Sequence, residues 1–198
     1  MTTRRTLLAA AAAALLPVLA TRTAHADEAR ATAFVDALLK ELLAIVNGPG
    51  TLDARRDALV RIVETKVDVD AVARFCLGRF WRTASPQQQA EYLALFRRIL
   101  VRNVTDKVGE YQGVSFQLVR AQKRENDFAV STIVNRPGNA PNKVDWVVAA
   151  EGEPRIIDLI AEGTSLRLTQ RSDYSAYLSR NGNNVQALID ALKQQVAS

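Results

Sequence analysis

The chain has 198 residues, with 26 lysines and arginines against 21 acidic residues and a formal charge of +5. Apolar residues make up 48% and charged residues 24%, a globular composition that excludes a disordered chain or a long coiled coil. A single cysteine, Cys76, excludes an intramolecular disulfide and a cysteine-based zinc site.

Residues 1–26 read as an export segment and residues 27–198 as one domain. Arg4 and Arg5 form a basic start, Leu7 to Ala20 is an uncharged apolar run, and Ala24-His25-Ala26 is a small-x-small cleavage pattern. The run is short of the ~20 residues that span a bilayer, and it is mostly alanine. No cysteine follows the cleavage pattern, so no lipid anchor is expected. Thr3-Arg4-Arg5-Thr6-Leu7-Leu8 resembles a twin-arginine signal, and both that route and the general secretory route fit. Cleavage would remove Arg4, Arg5 and Arg22, taking the formal charge from +5 to +2, and with them His25, the only histidine. A mature chain without imidazole excludes Ser-His-Asp and Cys-His nucleophilic sites, histidine-ligated metals and histidine proton shuttles. A charge so near neutrality gives no case for nucleic acid. A chain of about 170 residues buries roughly 70% of its unfolded surface, enough for a core with a cavity beside it.

Asp27 to Asn47 places Phe34, Val35, Leu38, Leu39, Leu42, Ile45 and Val46 at helical spacing, and Gly48-Pro49-Gly50 stops it. Leu52 to Lys66 is a second amphipathic helix with Leu59, Ile62 and Val63 inward. Asp68 or Asp70 can cap a short third helix through Phe75 and Leu77, because a carboxylate accepts the free N–H groups of a first turn. Ser85 is a good N-cap, and Pro86 sits where its missing N–H costs nothing. The helix they open carries Tyr92, Leu95, Phe96, Ile99, Leu100, Val104 and Val108 on one face, with Arg97, Arg98, Arg102 and Asp106 on the other.

After Gly109 the period falls from 3.6 to 2. Val114, Phe116 and Leu118 alternate with polar residues, as do Phe128, Val130 and Thr132. Val144, Trp146 and Val148 form a third run and Arg155 to Ile160 a fourth, separated by turn-rich segments. The simplest topology is a four-stranded antiparallel meander. Gly163 breaks the last strand. Two helices close the chain, one with Tyr174, Tyr177 and Leu178, the other with Val185, Leu188, Ile189, Leu192 and Val196. The fold class is α+β, a curved antiparallel sheet with helices on one face, like that of nuclear transport factors.

No phosphate-binding glycine loop, dinucleotide fingerprint or zinc-protease helix is present. Asp145 and Asp158, on neighbouring strands, could act as a carboxylate pair; alternation with apolar residues puts them instead on the solvent face, the reading favoured here. Cys76 falls on an apolar helix face and reads as a buried, inert thiol. Asn103-Val104-Thr105 matches a glycosylation triplet but falls inside a helix, and reads as chance. Arg120, Lys123 and Arg124 cluster at a hairpin end and read as a solvated turn, although such clusters also touch acidic membranes or partners.

Leu77-Gly78-Arg79-Phe80-Trp81-Arg82-Thr83-Ala84-Ser85-Pro86-Gln87-Gln88-Gln89 resembles the LGRYWR-x-A-T/S-P-E-Q block of the MlaC (toluene-tolerance) family of periplasmic lipid-binding proteins. Val144-Asp145-Trp146, followed by Ile157-Asp158-Leu159-Ile160-Ala161-Glu162-Gly163-Thr164-Ser165-Leu166, resembles the family's V-D-Y/W…D-V-x-x-E-G-V-S-L stretch. Gln170-Arg171-Ser172-Asp173-Tyr174, Asn181-Gly182 and Leu188-Ile189-Asp190-Ala191-Leu192 continue it. The wording of Thr169-Gln170-Arg171-Ser172 and Arg180-Asn181-Gly182 is similar to the hopanoid-associated HpnM branch. Together these cover most of residues 70 to 195. Thr164 stands where valine is usual, and Glu153-Pro154-Arg155 replaces a common Gly-x-Trp-Lys segment.

The resemblance implies a soluble carrier, without catalytic group, metal or cofactor, whose cargo is phospholipid or hopanoid. Its partners would be an inner-membrane ABC transporter complex and an outer-membrane partner, with membrane contact made through them; a monomer is expected. A two-chain lipid has about 30 methylenes, each worth ~0.8 kcal/mol when kept from water, so a dry hollow is needed to carry it. The expected lining of an apolar cavity between helices and sheet is Leu95, Phe96, Ile99 and Leu100 from the long helix and Val130, Trp146, Val148, Ile157 and Leu159 from the strands. Leu77 and Trp81 would close one end, and Arg82 and Arg171 would meet a headgroup. The same spacings serve any packed core. Two alternatives stay open: a proton-transferring enzyme with Asp145 or Asp158 and a tyrosine in an apolar cavity, and an adaptor without ligand.

Overall fold

The computed structural model describes residues 16–197. The basic start and most of the apolar run of the expected export segment lie outside the described residues. Helix α1 (Leu16–Asn47) begins ahead of the expected start at Asp27 and ends at the Gly48-Pro49-Gly50 break. Helix α2 (Leu52–Lys66) is capped by Thr51, and α3 (Val69–Leu77) by Asp68, whose carboxylate accepts from the Ala71 N–H at 3.0 Å. A 3₁₀ turn, Gly78–Arg82, leads to α4 (Pro86–Thr105). The start of α4 is a full capping box: the Gln88 N–H donates to Ser85 Oγ, and the Ser85 N–H donates to Gln88 Oε1.

The sheet has five antiparallel strands in sequence order: β1 (Ser115–Lys123), β2 (Asp127–Asn135), β3 (Asn142–Ala149), β4 (Ile156–Ala161) and β5 (Thr164–Ser165). The expected meander has four; the fifth is a two-residue strand, formed because Glu162 and Gly163, both at positive φ, fold Thr164 and Ser165 back onto Ile160 and Ala161. Ser165 then caps α5 (Leu166–Arg180), and α6 (Val185–Ala197) closes the chain. Strand β1 is a free edge, and its register breaks between Leu118 and Arg120, leaving Val119 52% exposed.

Three apolar clusters fill the interior. The helical one joins Val63 of α2, most of the apolar face of α3, Tyr92, Leu95, Phe96 and Ile99 of α4, and the inner faces of α5 and α6. The sheet cluster joins Phe128, Val130, Trp146, Val148 and Ile156 to Ala31, Val35, Leu38 and Leu39 of α1. A third, around Val46, Leu59, Val108 and Val114, seals the end of α1 against α2. The helix over the apolar face of the sheet is therefore α1, and α4 packs against α6, α3 and α2. Val67 packs against both of the larger clusters, and beside it the Asp68 N–H donates to the Ile156 carbonyl at 2.9 Å.

Candidate functional site

The residues expected to line one hollow fall into two packed groups. Leu77, Trp81, Leu95, Phe96, Ile99 and Leu100 belong to the helical cluster, where they meet α3, α5 and α6 rather than strands. Val130, Trp146, Val148 and Leu159 belong to the sheet cluster, under α1. Periodicity identifies which face of a helix is apolar but not which element will cover it. Ile157 joins neither group. Val147 pairs with Asp158 but Val148 pairs with Ile156, so Ile157 is the extra residue of a bulge. The bulge shifts the alternation by one, and Ile156 takes the inward place that strict alternation assigns to Ile157.

An open surface recess, lined by residues outside the expected set, lies between α1 and the edge strand β1. This open groove of ≈ 620 Å³ is lined by Ala29, Ala33, Leu118 and Ala121 together with Glu28, Thr32 and Asp36. Leu118 and Ala121 also pack against the sheet cluster around Trp146. None of these groove residues is among the expected lining; their signal in the sequence was the run of small residues on the outward face of α1. A second, open recess of ≈ 460 Å³ runs along α5, past Leu168, Arg171 and Ser175.

The two expected headgroup residues lie elsewhere. Arg82 is exposed at the end of the 3₁₀ turn, and Arg171 is exposed on α5. The Arg171 guanidinium stacks over the Phe75 ring at 5.0 Å from its centroid and abuts Gly78. Neither arginine borders the groove between α1 and β1.

The carboxylates are tied into structure. Asp145 accepts from Ser131 Oγ at 2.5 Å and from Lys143 Nζ at 3.2 Å, and is partly exposed. Asp158 corrects the solvent-face expectation: it is buried, on the sheet face opposite Trp146. It accepts from Ser165 Oγ at 2.5 Å and from the Arg167 N–H at 3.0 Å, so it anchors the first turn of α5 to β4. Arg167 Nε lies 3.5 Å from Asp158 and Arg167 Nη2 3.8 Å from Asp127, ion-pair contacts without hydrogen-bond geometry at Nε. The other side of the guanidinium stacks on Phe75 at 4.5 Å. This network carried no sequence signal beyond the aspartate itself. No tyrosine hydroxyl is among the partners of either carboxylate; Tyr92 donates to the Ala73 carbonyl and Tyr177 to that of Ala187. The arrangement that proton transfer requires is not formed among the described residues.

Cys76 is buried as expected, and its thiol donates to the Arg167 carbonyl at 3.6 Å. Burial, and then the nearby Asp158 charge, push its pKa from 9.0 up to about 12, which leaves no reactive thiolate near neutrality. Among the described residues no cluster of three metal-ligating side chains occurs, and no helix is long and apolar enough to cross a membrane.

A curved antiparallel sheet under one long helix, backed by a second helical layer and bordered at its edge strand by an open groove, defines an α+β domain. The model of the MlaC protein family matches residues 32–194, and the chain belongs to that family. A toluene tolerance protein, ttg2D, of Pseudomonas putida is 26% identical over 145 residues, covering 71% of this chain and 67% of that protein. The phospholipid-binding protein from Ralstonia solanacearum, solved in complex with a phospholipid, superposes with a TM-score of 0.72 at 22% identity, covering 85% of this chain and 99% of that one.

Proposed function

We propose that this protein is a periplasmic lipid carrier, which takes up phospholipid or hopanoid and moves it between the inner and outer membranes as the soluble member of an ABC-transporter-linked system. The observation that carries this reading is the groove between α1 and β1, where the lining residues Leu118 and Ala121 also pack against the sheet cluster. An acyl chain or fused-ring terpenoid laid in this groove reaches the interior by prising α1 from the sheet. Val130, Trp146, Val148 and Leu159 are then the side chains it meets. Apart from the Arg30 hydrogen bond to the Gly152 carbonyl and the Asn47 bonds to Gly113 and Val114, the contacts that part there are apolar, and the lipid chain replaces them. The division of the interior into separate sheet and helical clusters favours this, because the helical layer keeps its own packing while the sheet cluster opens. Family membership, and a structural relative solved with phospholipid, support the same conclusion.

The test is organic extraction of protein purified from its periplasm, followed by mass spectrometry, with uptake of labelled lipid from vesicles alongside. Stoichiometric lipid is expected; a diacyl mass supports phospholipid cargo and a pentacyclic mass the hopanoid branch. Ala33→Trp, which fills the groove from an exposed position of α1, should abolish uptake without loss of fold. Absence of extracted lipid together with no uptake would overturn the reading.

A further inference from the structure

The helical layer carries a concentrated cationic surface that the groove does not use. Residues 71–90 contain Arg74, Arg79 and Arg82 and no acidic residue; residues 163–172 contain Arg167 and Arg171 and again none. Helices α3 and α5 are packed together, and Arg171 lies against Gly78, at the start of the 3₁₀ turn that carries Arg79 and Arg82. Arg74, Arg79, Arg82 and Arg171 are all exposed, and none takes part in an ion pair among the described residues. Asp173 follows Arg171 by two positions, about 200° round the helix.

Aromatic rings hold three of these guanidinium groups. Arg74 stands over Trp81 at 5.3 Å, Arg79 over Phe80 at 4.8 Å, and Arg171 over Phe75 at 5.0 Å. A ring face fixes the plane of a guanidinium but leaves its edge N–H groups free, which is the geometry that takes phosphate oxygens in pairs. Around the arginines lie apolar groups of the kind that settle at a bilayer surface. Leu168, 56% exposed, borders the same recess as Arg171; Leu166 is 51% exposed at the start of α5; and Trp81 is partly exposed within the 3₁₀ turn.

We propose that the arginine surface of α3, the 3₁₀ turn and the start of α5 docks the protein directly on an anionic lipid bilayer. Fixed arginines with leucine and tryptophan at their margin match phosphate headgroups above an acyl boundary. A purely acidic protein surface would leave the leucines unmatched. Surface attraction of this kind gives weak, reversible binding that fades beyond a Debye length. The proposal does not depend on what the groove holds.

Co-sedimentation of the full chain with vesicles tests it. Binding to vesicles of equal parts phosphatidylglycerol and phosphatidylcholine is expected at about 0.05 M salt, and is lost at about 0.5 M and on phosphatidylcholine alone. The variant Arg79→Gln/Arg82→Gln/Arg171→Gln should bind about a hundredfold more weakly. Arg79→Lys/Arg82→Lys/Arg171→Lys keeps the charge but loses the paired N–H groups, and should bind more weakly than the parent and more tightly than the glutamine triple. Arg61→Gln/Arg98→Gln/Arg102→Gln, which changes net charge equally on α2 and α4, should bind like the parent. Melting curves establish that each variant is folded. No binding of the parent to anionic vesicles overturns the proposal and leaves the surface to an acidic protein. Equal losses in the two glutamine triples, or a lysine triple as weak as its glutamine counterpart, overturn it too. Lipid carriage is read separately, by solvent extraction, so failure of one conclusion is not failure of the other.

Discussion

Trp146 Nε1 donates a hydrogen bond to Thr132 Oγ1 at 3.0 Å across the β2–β3 pair, and Thr132 Oγ1 in turn donates to the Val144 carbonyl at 3.1 Å. The threonine is fully buried, so this is the only polar handle by which the largest ring of the sheet cluster is oriented. Thr132→Val keeps the volume and removes the acceptor, leaving an indole N–H unpaired in an apolar interior. The expected loss is about 1–3 kcal/mol in denaturant unfolding, with a red-to-blue change in tryptophan emission against the parent. A variant as stable as the parent would show that the ring is held by packing alone.

Gly78 has φ 60 and ψ −130, outside the regions open to other residues, and a Cβ there would stand 3.2–3.3 Å from the Arg171 guanidinium. This is the physical content of the glycine in the Leu77-Gly78-Arg79 motif: it turns α3 into the 3₁₀ turn and makes room for Arg171. Gly78→Ala is expected to lower stability by about 1–3 kcal/mol through backbone strain. Arg171→Ala in the same background should recover little of it, because the exposed arginine can move aside while the backbone cannot.

Asp158 serves three partners at once, so its removal should exceed an ordinary surface change. Asp158→Ala leaves the Arg167 N–H and Ser165 hydroxyl without their acceptor and leaves a largely buried guanidinium facing only Asp127. A loss of about 3–5 kcal/mol is expected. Amide exchange should quicken first in β5 and the opening turn of α5, where the anchor sits.

Alkaline stability follows from the buried thiol and phenols. The unfolded thiol ionises near 9.0 and the folded one near 12, so between those values the unfolded chain has lost a proton that the folded chain keeps. Stability is therefore full below pH 9 and falls as pH rises toward 12. Tyr92 and Tyr174, pushed above 10.0 chiefly by burial, act in the same direction. Cys76→Ala should flatten the decline just above pH 9 in equilibrium unfolding. An unchanged slope would show that the thiol does not contribute. In the native protein near neutrality Cys76 should resist thiol reagents except through unfolding.

Local chemistry was well written in the sequence. Ser85 and Pro86 mark the start of α4, Asp68 caps α3, and the alternation through Val130 and Trp146 gives the apolar face of the sheet. What covers a face was not. Leu95 and Ile99 of α4 and Val35 and Leu38 of α1 share one periodicity, yet one helix meets helices and the other meets strands. Asp158 alternates with apolar residues as a solvent-facing aspartate would, but α5 folds back over its side of the sheet. Ile157 and Ile156 exchanged roles because a one-residue bulge depends on pairing across strands, which a single strand does not encode.

The broken register of β1 has a consequence for the protein at high concentration. With Val119 pushed outward and Arg120 and Lys123 exposed beside it, the outermost strand presents a kinked, like-charged ladder to any second molecule. Two such margins repel and fit poorly edge to edge, which disfavours the strand-to-strand pairing that a straight, uncharged border would permit.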